Sequence, residues 1–361
     1  MPAGVRATKR LNHPRRAALK LVAMAGPPAP RTFSVVIPVF NAESYLGEAI
    51  GSALAQTLPP LEVLVVDDGS TDGSRAVAEG FGGRVRVFSG PNAGPSAARN
   101  RGVREARGGW VAFLDADDRF EPGYLEAAEA HLASHAGVGL LCSGVRILED
   151  GRKTSHVIRK KSPGPAYTTV GLLEGDIGTI CTPLVKRDVF LASGGFDESF
   201  RANEDGHLWL RLSRVTGVHQ TPEPLLLYRR HADNASGDLL ANARDSVRSL
   251  EELEETHPEF AHELRRPMHR LRGKEYLRLG RELLVRGEDL PGARAALRKA
   301  VTFRPGRLRG WLYLAFASIP GGPRVVAAFR RRELAARRRV STGRLAAAFR
   351  GLKSRVRGAR A

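Results

Sequence analysis

Residues 61–70 read LEVLVVDDGS, an apolar run that ends in two carboxylates and a glycine-containing turn. Apolar side chains at nearly every position are typical of a strand that is covered on both faces, as in parallel sheets. The stretches 33–39 and 110–114 have the same character, and the intervening sequence shows the i, i+3, i+4 spacing of helices. Strands that alternate with helices predict an α/β fold with a mostly parallel sheet flanked by helices.

The predicted elements extend this pattern to residue 230. Strands are predicted at 33–39, 61–67, 84–88, 110–114, 138–148, 153–159, 180–186 and 224–230, and helices at 45–54, 72–81, 96–107 and 203–215. The segments 239–256, 259–286, 289–303 and 307–319 are rich in arginine and predict a small helical bundle. We therefore divide the chain into a basic leader (1–31) that we expect to be disordered, an α/β domain (32–238), a helical bundle (239–323) and a basic, arginine- and alanine-rich helical tail (324–361).

Charge is distributed unevenly along the chain, whose formal net charge is +19. Residues 1–31 carry seven Lys and Arg and no acid, and residues 261–361 carry 27 Lys and Arg against six Asp and Glu. Basic segments favour polyanions such as anionic phospholipid headgroups or nucleic acid. The tail is expected to be either a solvated helical surface or a site that binds an anionic membrane. Sedimentation with liposomes, with and without residues 320–361, would distinguish the two.

Two cysteines, Cys142 and Cys181, are too few for a disulfide framework. Buried, reduced thiols fit a cytoplasmic protein, and this is the expected location, with peripheral attachment to the inner face of the membrane. The apolar stretch 311–319 has about half of the ~20 residues that a membrane span needs. Lys20 interrupts the apolar part of the leader, so no signal peptide is expected, and Met24 is an alternative start.

Carboxylates follow two of the predicted strands directly. Asp115 and Asp117 come after the apolar run at 110–114, where like charges repel each other unless something neutralises them. Mg²⁺ or Mn²⁺ would do so, since both prefer oxygen ligands and substrate phosphates; a solvated loop is the alternative. Asp67 and Asp68 either form a turn before the next helix or accept hydrogen bonds from a base or ribose. Because ligands bind at the carboxyl ends of parallel strands, these side chains are expected to share one crevice.

Two further groups have both a structural and a functional interpretation. Glu204 and Asp205 begin a predicted helix, where acidic residues suit the helix dipole, but Asp205 is also a candidate general base. His231 closes the last predicted strand and is either structural or a nitrogen ligand of a cation. We find no G-x-x-x-x-G-K-[ST] loop, no strand-linked G-x-G-x-x-G, no G-x-S-x-G elbow and no Cys/His spacing typical of zinc sites.

Seven short motifs follow one another between residues 33 and 231. They are VVIPVFN (35–41), QT (56–57) with LVVDDGSTD (64–72), NAGPSAARNRG (92–102), FLDADD (113–118), GGFD (194–197), ED (204–205) and YRRH (228–231). In this order they resemble the inverting family 2 glycosyltransferases, which have the Rossmann-like GT-A fold. The resemblance covers roughly 200 of the 361 positions. Phe40 stands where many relatives carry Tyr, which preserves the aromatic ring.

The resemblance implies a role for each matching residue. The implied nucleotide-sugar-binding residues are Pro38, Phe40, Glu43, Asp68, Arg99, Asp115 and Glu204. The implied ligands of a Mn²⁺ or Mg²⁺ cofactor are Asp117, Asp115 and His231. Asp205 is the implied catalytic base, and Gly194 and Gly195 are expected to form a close-packed loop beside the acceptor.

The resemblance also implies a reaction, in which a sugar moves from a nucleotide-sugar, most often a UDP-sugar, to an acceptor hydroxyl with inversion. A carbohydrate or lipid-linked acceptor and a role in cell-envelope, polysaccharide or glycolipid biosynthesis are expected. A nucleotidyltransferase is an alternative, although its glycine-rich, lysine-containing phosphate loop is missing near the start. A polyanion- or nucleic-acid-binding protein on a degenerate α/β scaffold is a second alternative. The basic segments lack the interleaved aromatic residues of single-strand binders, so nucleic acid is not an expected partner.

Overall fold

The structure is a computed structural model of the 361-residue chain. It describes residues 31–149, 151–158, 164–174, 183–231, 238–256, 258, 262, 264–287, 289–328 and 330–331. The predicted leader, apart from Arg31, lies outside the described residues, as do Cys181 and most of the basic tail. The chain divides into two compact units, Met1–Gly237 and Asp238–Ala361.

The first unit is built on two β-sheets in its described residues. The strands are β1 (Phe33–Val39), β2 (Glu62–Asp67), β3 (Arg86–Ser89), β4 (Trp110–Phe113), β5 (Arg119–Phe120), β6 (Val138–Cys142), β7 (Val145–Glu149), β8 (Arg152–Ile158), β9 (Ala166–Tyr167), β10 (Leu184–Lys186), β11 (Gly217–Gln220) and β12 (Leu226–Arg230). The larger sheet has the order β3-β2-β1-β4-β10-β6-β11-β9, and the smaller sheet has the order β5-β12-β7-β8.

The larger sheet is parallel from β3 to β4 and mixed beyond it. β1 pairs parallel with β2 and β4, and β2 pairs parallel with β3. β10 runs antiparallel to both of its neighbours, β4 and β6. Every residue of β1 and β4 is buried, which explains why their sequences are apolar without alternation. The predicted mostly parallel α/β sheet is confirmed.

Helices flank the larger sheet. In the described part of the first unit they are α1 (Glu43–Leu54), α2 (Ser74–Glu79), α3 (Pro95–Glu105), α4 (Tyr124–Ser134), α5 (Thr169–Glu174), α6 (Arg187–Ser193) and α7 (Glu204–Leu212). Helix α3 lies close to β1, since a Cβ added to Gly102 would lie 2.3 Å from Cγ1 of Val36. This close approach fixes the position of Arg99, which lies three residues earlier in α3.

The predicted strand at 138–148 is in fact two strands in different sheets. Between β6 and β7 the chain crosses from the larger to the smaller sheet at Gly144, whose N–H donates to the carbonyl oxygen of Glu223 at 3.1 Å. A Cβ on Gly144 would lie 3.1 Å from Cα of Pro224, so a larger residue would crowd the crossing. Apolar residues that suit a strand stand on both sides of the crossing, and composition alone therefore does not reveal it.

The second unit is helical in its described residues, which include α8 (Leu239–Thr256), α9 (Arg265–Arg286), α10 (Leu290–Phe303) and α11 (Leu308–Ser318). Buried apolar side chains join these helices, among them Leu240, Leu284 and Leu297. None of the helices in the described residues combines the length and hydropathy that a membrane span requires. Of the basic tail, only residues 324–328, 330 and 331 are described, and its membrane binding stays a prediction.

Candidate active site at the carboxyl edge of the sheet

The carboxyl ends of β1, β2 and β4 bring three predicted site segments to one edge of the larger sheet. Phe40, Asp68 and Asp115 follow these strands, which pair parallel through β1. The strand order reverses direction between β1 and β4, because β2 and β3 lie on one side of β1 and β4 lies on the other. Open α/β sheets bind ligands at such a switch point.

Arg99 joins the end of β4 to the start of α7. Its Nη2 donates to Oδ1 of Asp115 at 2.8 Å, and its Nη1 donates to Oε1 of Glu204 at 2.9 Å. The guanidinium also lies over the ring of Phe196, 5.6 Å from the centroid. Burial lowers the pKa of Arg99, but the charges of Asp115 and Glu204 outweigh it and hold the pKa above its usual value. Three predicted site residues thus form one hydrogen-bonded group.

Asp205 follows Glu204 in the first turn of α7 and is partly buried. Burial and the charge of Glu204 raise the pKa of Asp205 to about 6, and Asp115 adds to the increase. The N–H of Gly206, which donates to Oδ1 of Asp205 at 2.6 Å, and the charge of Arg99 both act in the opposite direction. A carboxylate with this pKa is ionised at neutral pH and more basic than an exposed aspartate, which suits a general base.

His231 lies just after β12 and contacts Asp117. Its Nε2 is 2.8 Å from Oδ2 of Asp117, and its ring stacks on Tyr45 of α1 with 5.0 Å between centroids. Asp115, in contrast, is directed to Arg99. The structure therefore brings together two of the three predicted metal ligands in direct contact and places the third two residues away in the same loop.

Arg229 holds the loop that carries Asp117. Its Nε donates to the carbonyl oxygen of Asp117 at 2.9 Å, its Nη2 to Oε2 of Glu48 at 2.8 Å, and its backbone N–H to Oδ1 of Asp118 at 2.8 Å. Asp118 is buried, and burial together with the charges of Asp115 and Asp117 raises its pKa well above the usual value. Neither Glu48 nor Asp118 was predicted to have a role, because their contacts with Arg229 join residues more than 100 positions apart in the chain.

Asp68 and Glu43 use their carboxylates within the protein. The two oxygens of Asp68 accept hydrogen bonds from the N–H groups of Ala93 and Gly94, each at 2.8 Å. Oε2 of Glu43 accepts from the N–H of Gly73 at 3.0 Å. Both residues thereby fix loops that border the crevice, and their predicted direct contact with a nucleotide stays a prediction.

Phe40, a predicted nucleotide-binding residue, is open to solvent, with 49% of its surface exposed. Pro38 is buried within β1, where it pairs with Val66 of β2. The backbone turns directly after Phe40, since Asn41 has a φ of 50° and its Oδ1 accepts from the N–H of Thr71 at 2.8 Å. This turn leaves the ring of Phe40 exposed, as a residue that stacks on a base requires.

The loop at Gly194 and Gly195 is close-packed, as predicted. Both glycines have positive φ values, 85° and 70°, which favour glycine. Oδ1 of Asn100 accepts from the N–H of Phe196 at 2.9 Å, and a Cβ on Gly195 would lie 2.5 Å from the same oxygen. The loop is thus fastened to α3, the helix that carries Arg99.

The residues of this crevice fit a divalent cation. Asp115 and Asp117 offer carboxylate oxygens, and His231 offers an imidazole nitrogen beside Asp117. Burial, together with the charges of Asp115 and Asp117, raises the pKa of Asp118. Mn²⁺ and Mg²⁺ accept such ligands together with phosphate oxygens.

Comparisons with known proteins concern the family and the fold. Residues 34–191 match the family model described as Glycosyl transferase family 2. An uncharacterized glycosyltransferase of Rickettsia typhi is 32% identical over 209 residues, which are 55% of this chain and 64% of the relative. The chain thus spans less than two thirds of that relative's length. The resemblance to family 2 glycosyltransferases is confirmed.

The fold is similar to that of S. aureus TarS. The crystal structure of TarS superposes with a TM-score of 0.61 at 21% identity, over 82% of this chain and 55% of TarS. A crystal structure of TarS 1–349 in complex with UDP-GlcNAc superposes with a TM-score of 0.57 at 18% identity, over 79% of this chain and 90% of that chain. The predicted GT-A fold with C-terminal helices is confirmed.

Proposed function

We propose that this chain, which contains a family 2 glycosyltransferase domain, transfers a sugar from a nucleotide-sugar to an acceptor hydroxyl. One observation carries the proposal: Arg99 joins Asp115, on the donor side, to Glu204, whose neighbour Asp205 has a pKa of about 6. The carboxylate that would contact the donor and the carboxylate that would act as the base therefore lie in one crevice.

The donor is proposed to be a UDP-sugar. The exposed ring of Phe40 offers a face for stacking on the base, at the end of β1. Asp115 would contact the ribose, and Asp117, His231 and Asp115 would hold Mn²⁺ or Mg²⁺. When bound, the cation neutralises the negative charge of the leaving diphosphate. The UDP-GlcNAc in the complex of TarS 1–349 supports a uridine donor for a protein of similar fold.

Asp205 is proposed to be the general base. Its carboxylate takes the proton of the acceptor hydroxyl while the hydroxyl oxygen forms a bond to the anomeric carbon of the sugar. The bond from that carbon to the diphosphate oxygen breaks on the opposite face, and the nucleoside diphosphate leaves. A single displacement of this kind inverts the anomeric configuration.

The acceptor is proposed to be a carbohydrate or a lipid-linked glycan of the cell envelope, polysaccharides or glycolipids. The loop at Gly194 and Gly195 is fastened to α3 and would border the acceptor. The basic C-terminal segments would keep the enzyme close to anionic membrane lipids, where lipid-linked acceptors reside.

A thermal-shift screen tests the donor. We expect UDP and UDP-sugars with Mn²⁺ to raise the melting temperature, because a ligand that binds the folded state stabilises it by mass action. Asp117→Asn should weaken this shift. Product analysis should then detect free nucleoside diphosphate. The proposal fails if no nucleotide-sugar shifts the melting temperature with either cation, and release of pyrophosphate would identify a nucleotidyltransferase instead.

A further inference from the structure

Three histidines meet at a second position in the first unit, between α4 and β11. His131 lies in the last turn of α4, His135 follows directly after that helix, and His219 belongs to β11. One ring nitrogen from each lies within 4.8 Å of the other two. Nε2 of His131 is 3.0 Å from Nδ1 of His219, and the rings of His131 and His135 stack with 4.1 Å between centroids.

We propose that His131, His135 and His219 form a binding site for a transition-metal dication, with Zn²⁺ as the best fit. The site is separate from the acidic crevice, and the proposal does not depend on the glycosyltransferase function. Its fourth ligand would be a water molecule. Three histidines with one open position are an established zinc coordination set.

The geometry of the cluster is close to what a tetrahedral metal requires. With Zn–N bonds of about 2.0–2.1 Å, ligand nitrogens lie about 3.3 Å apart. The His131 and His219 nitrogens already face each other at 3.0 Å, and a ring nitrogen of His135 lies within 4.8 Å of both. The ring of His135 stacks on that of His131, so it must turn out of the stack to direct its lone pair at a shared metal. His131 lies in the last turn of α4 and His135 is the first residue after it, so the end of this helix supplies two ligands and the strand β11 supplies the third.

A backbone contact orients one of the ligands. Nδ1 of His135 lies 3.0 Å from the carbonyl oxygen of His131, and since a carbonyl oxygen only accepts, Nδ1 carries the proton. Nε2 of His135 is then left with its lone pair, which is how a metal-bound histidine is usually oriented. Burial and the neighbouring rings of His135 and His219 lower the pKa of His131 to about 4.

The ligand type separates this site from the acidic crevice. Three imidazole nitrogens without a carboxylate suit Zn²⁺, Ni²⁺, Co²⁺ or Cu²⁺, whereas Mg²⁺ and Mn²⁺ prefer oxygen. A metal here would link α4, which follows the loop of Asp115 and Asp117, to β11, which follows the helix of Asp205. The bound metal would therefore stabilise the segments that support the crevice.

The sequence analysis did not identify this histidine cluster. His131 and His135 have the i, i+4 spacing of helical zinc ligands, but the helix α4 was not predicted. The third ligand is 84 positions beyond His135 in the chain, and only the pairing of β11 with β6 brings it near. The contacts of His219 with His131 and His135 therefore cannot be predicted from local sequence.

Cobalt absorption tests the proposal directly. The full chain, with any affinity tag removed, is stripped with EDTA and titrated with CoCl₂ and then with ZnCl₂. We expect tetrahedral Co²⁺ bands in the visible range at one equivalent per chain, and their loss when Zn²⁺ displaces Co²⁺. His135→Asn and His219→Gln should each weaken Zn²⁺ binding by at least about tenfold, since even loss of an outer-shell partner costs about 10–100-fold.

Two variants serve as controls. His156→Asn changes an exposed histidine of β8 and should leave the Co²⁺ bands unchanged. Asp117→Asn alters the acidic crevice and should also retain them. The apo forms of all variants should melt at similar temperatures, and Zn²⁺ should raise the melting temperature only where all three histidines remain. The proposal is wrong if the wild-type chain gives no bands, or if both ligand variants bind Zn²⁺ as tightly as His156→Asn.

Discussion

At the scale of single residues, the charge balance around Arg99 determines how several carboxylates occupy one crevice. Asp115 and Glu204 each form an ion pair with the guanidinium. The charge of Arg99 also acts to lower the pKa of Asp205, although among the described residues these two side chains form no ion pair. Burial and the remaining negative charge therefore raise the pKa of Asp205. Asp205 therefore binds a proton more tightly than an ordinary aspartate does.

The raised pKa of Asp205 predicts an acid limb in the activity profile. A general base must be deprotonated, and its pKa is about 6. The transfer rate should thus be nearly constant above about pH 7 and fall about tenfold per pH unit well below pH 6. Initial rates from pH 4.5 to 8.5 at saturating donor would measure this, with donor binding followed over the same range. A rate that stays constant down to pH 4.5 would contradict the assignment.

The sequence indicated the residues at strand ends but not those that support them. Asp115 and Asp117 follow an apolar strand, and Asp205 opens an amphipathic helix, so local pattern and family resemblance both point to them. The support from Asp118 was not foreseen, because its partner Arg229 is 111 positions away. Contacts of this range depend on how the two sheets meet, which local patterns do not determine.

At the scale of elements, uniformly apolar strands and strongly periodic helices were predicted well. The strand β2 and the helix α3 begin and end within two residues of their predicted limits. The helix α4 was missed, and one predicted strand proved to be β6 and β7. In both cases the apolar pattern fits more than one secondary structure. Tertiary contacts, such as the hydrogen bond from Gly144 to Glu223, determine which one forms.

The contact between α3 and β1 predicts a stability effect. A Cβ in Gly102→Ala would lie 2.3 Å from Cγ1 of Val36, a buried and branched side chain at the centre of β1. We expect a loss of about 1–3 kcal/mol in the free energy of unfolding, because overpacking forces neighbours to shift. Urea unfolding followed by circular dichroism would measure it.

Gly51→Ala in α1 is the matched control, because a Cβ there meets no atom within 4 Å. Alanine is favoured over glycine in a helix by about 0.5–1 kcal/mol, so this variant should be at least as stable as the wild type. If Gly102→Ala is as stable as Gly51→Ala, the close packing of α3 on β1 is wrong.

At the scale of the whole molecule, charge and composition separate the parts of the chain. The first unit carries the acidic crevice and the region that matches the family 2 model, and arginine is concentrated in the second unit. The resemblance between motifs was enough to predict the GT-A fold over the first unit. It covers none of the second unit, whose role could not be predicted, since a basic helical surface serves many partners equally well.

The proposed glycosyl transfer is tested most directly by the turnover of Asp205→Asn compared with its donor affinity. If Asp205 is the general base, the rate of sugar transfer falls by about 10²–10⁴ in this variant. UDP-sugar binding with Mn²⁺ stays within about twofold of wild type, because a base contributes to proton transfer and not to donor binding. Asp188→Asn, the same change at an exposed residue of α6 that pairs with Lys186, should keep wild-type turnover. Wild-type turnover in Asp205→Asn, with donor affinity unchanged, would show that Asp205 is not the general base.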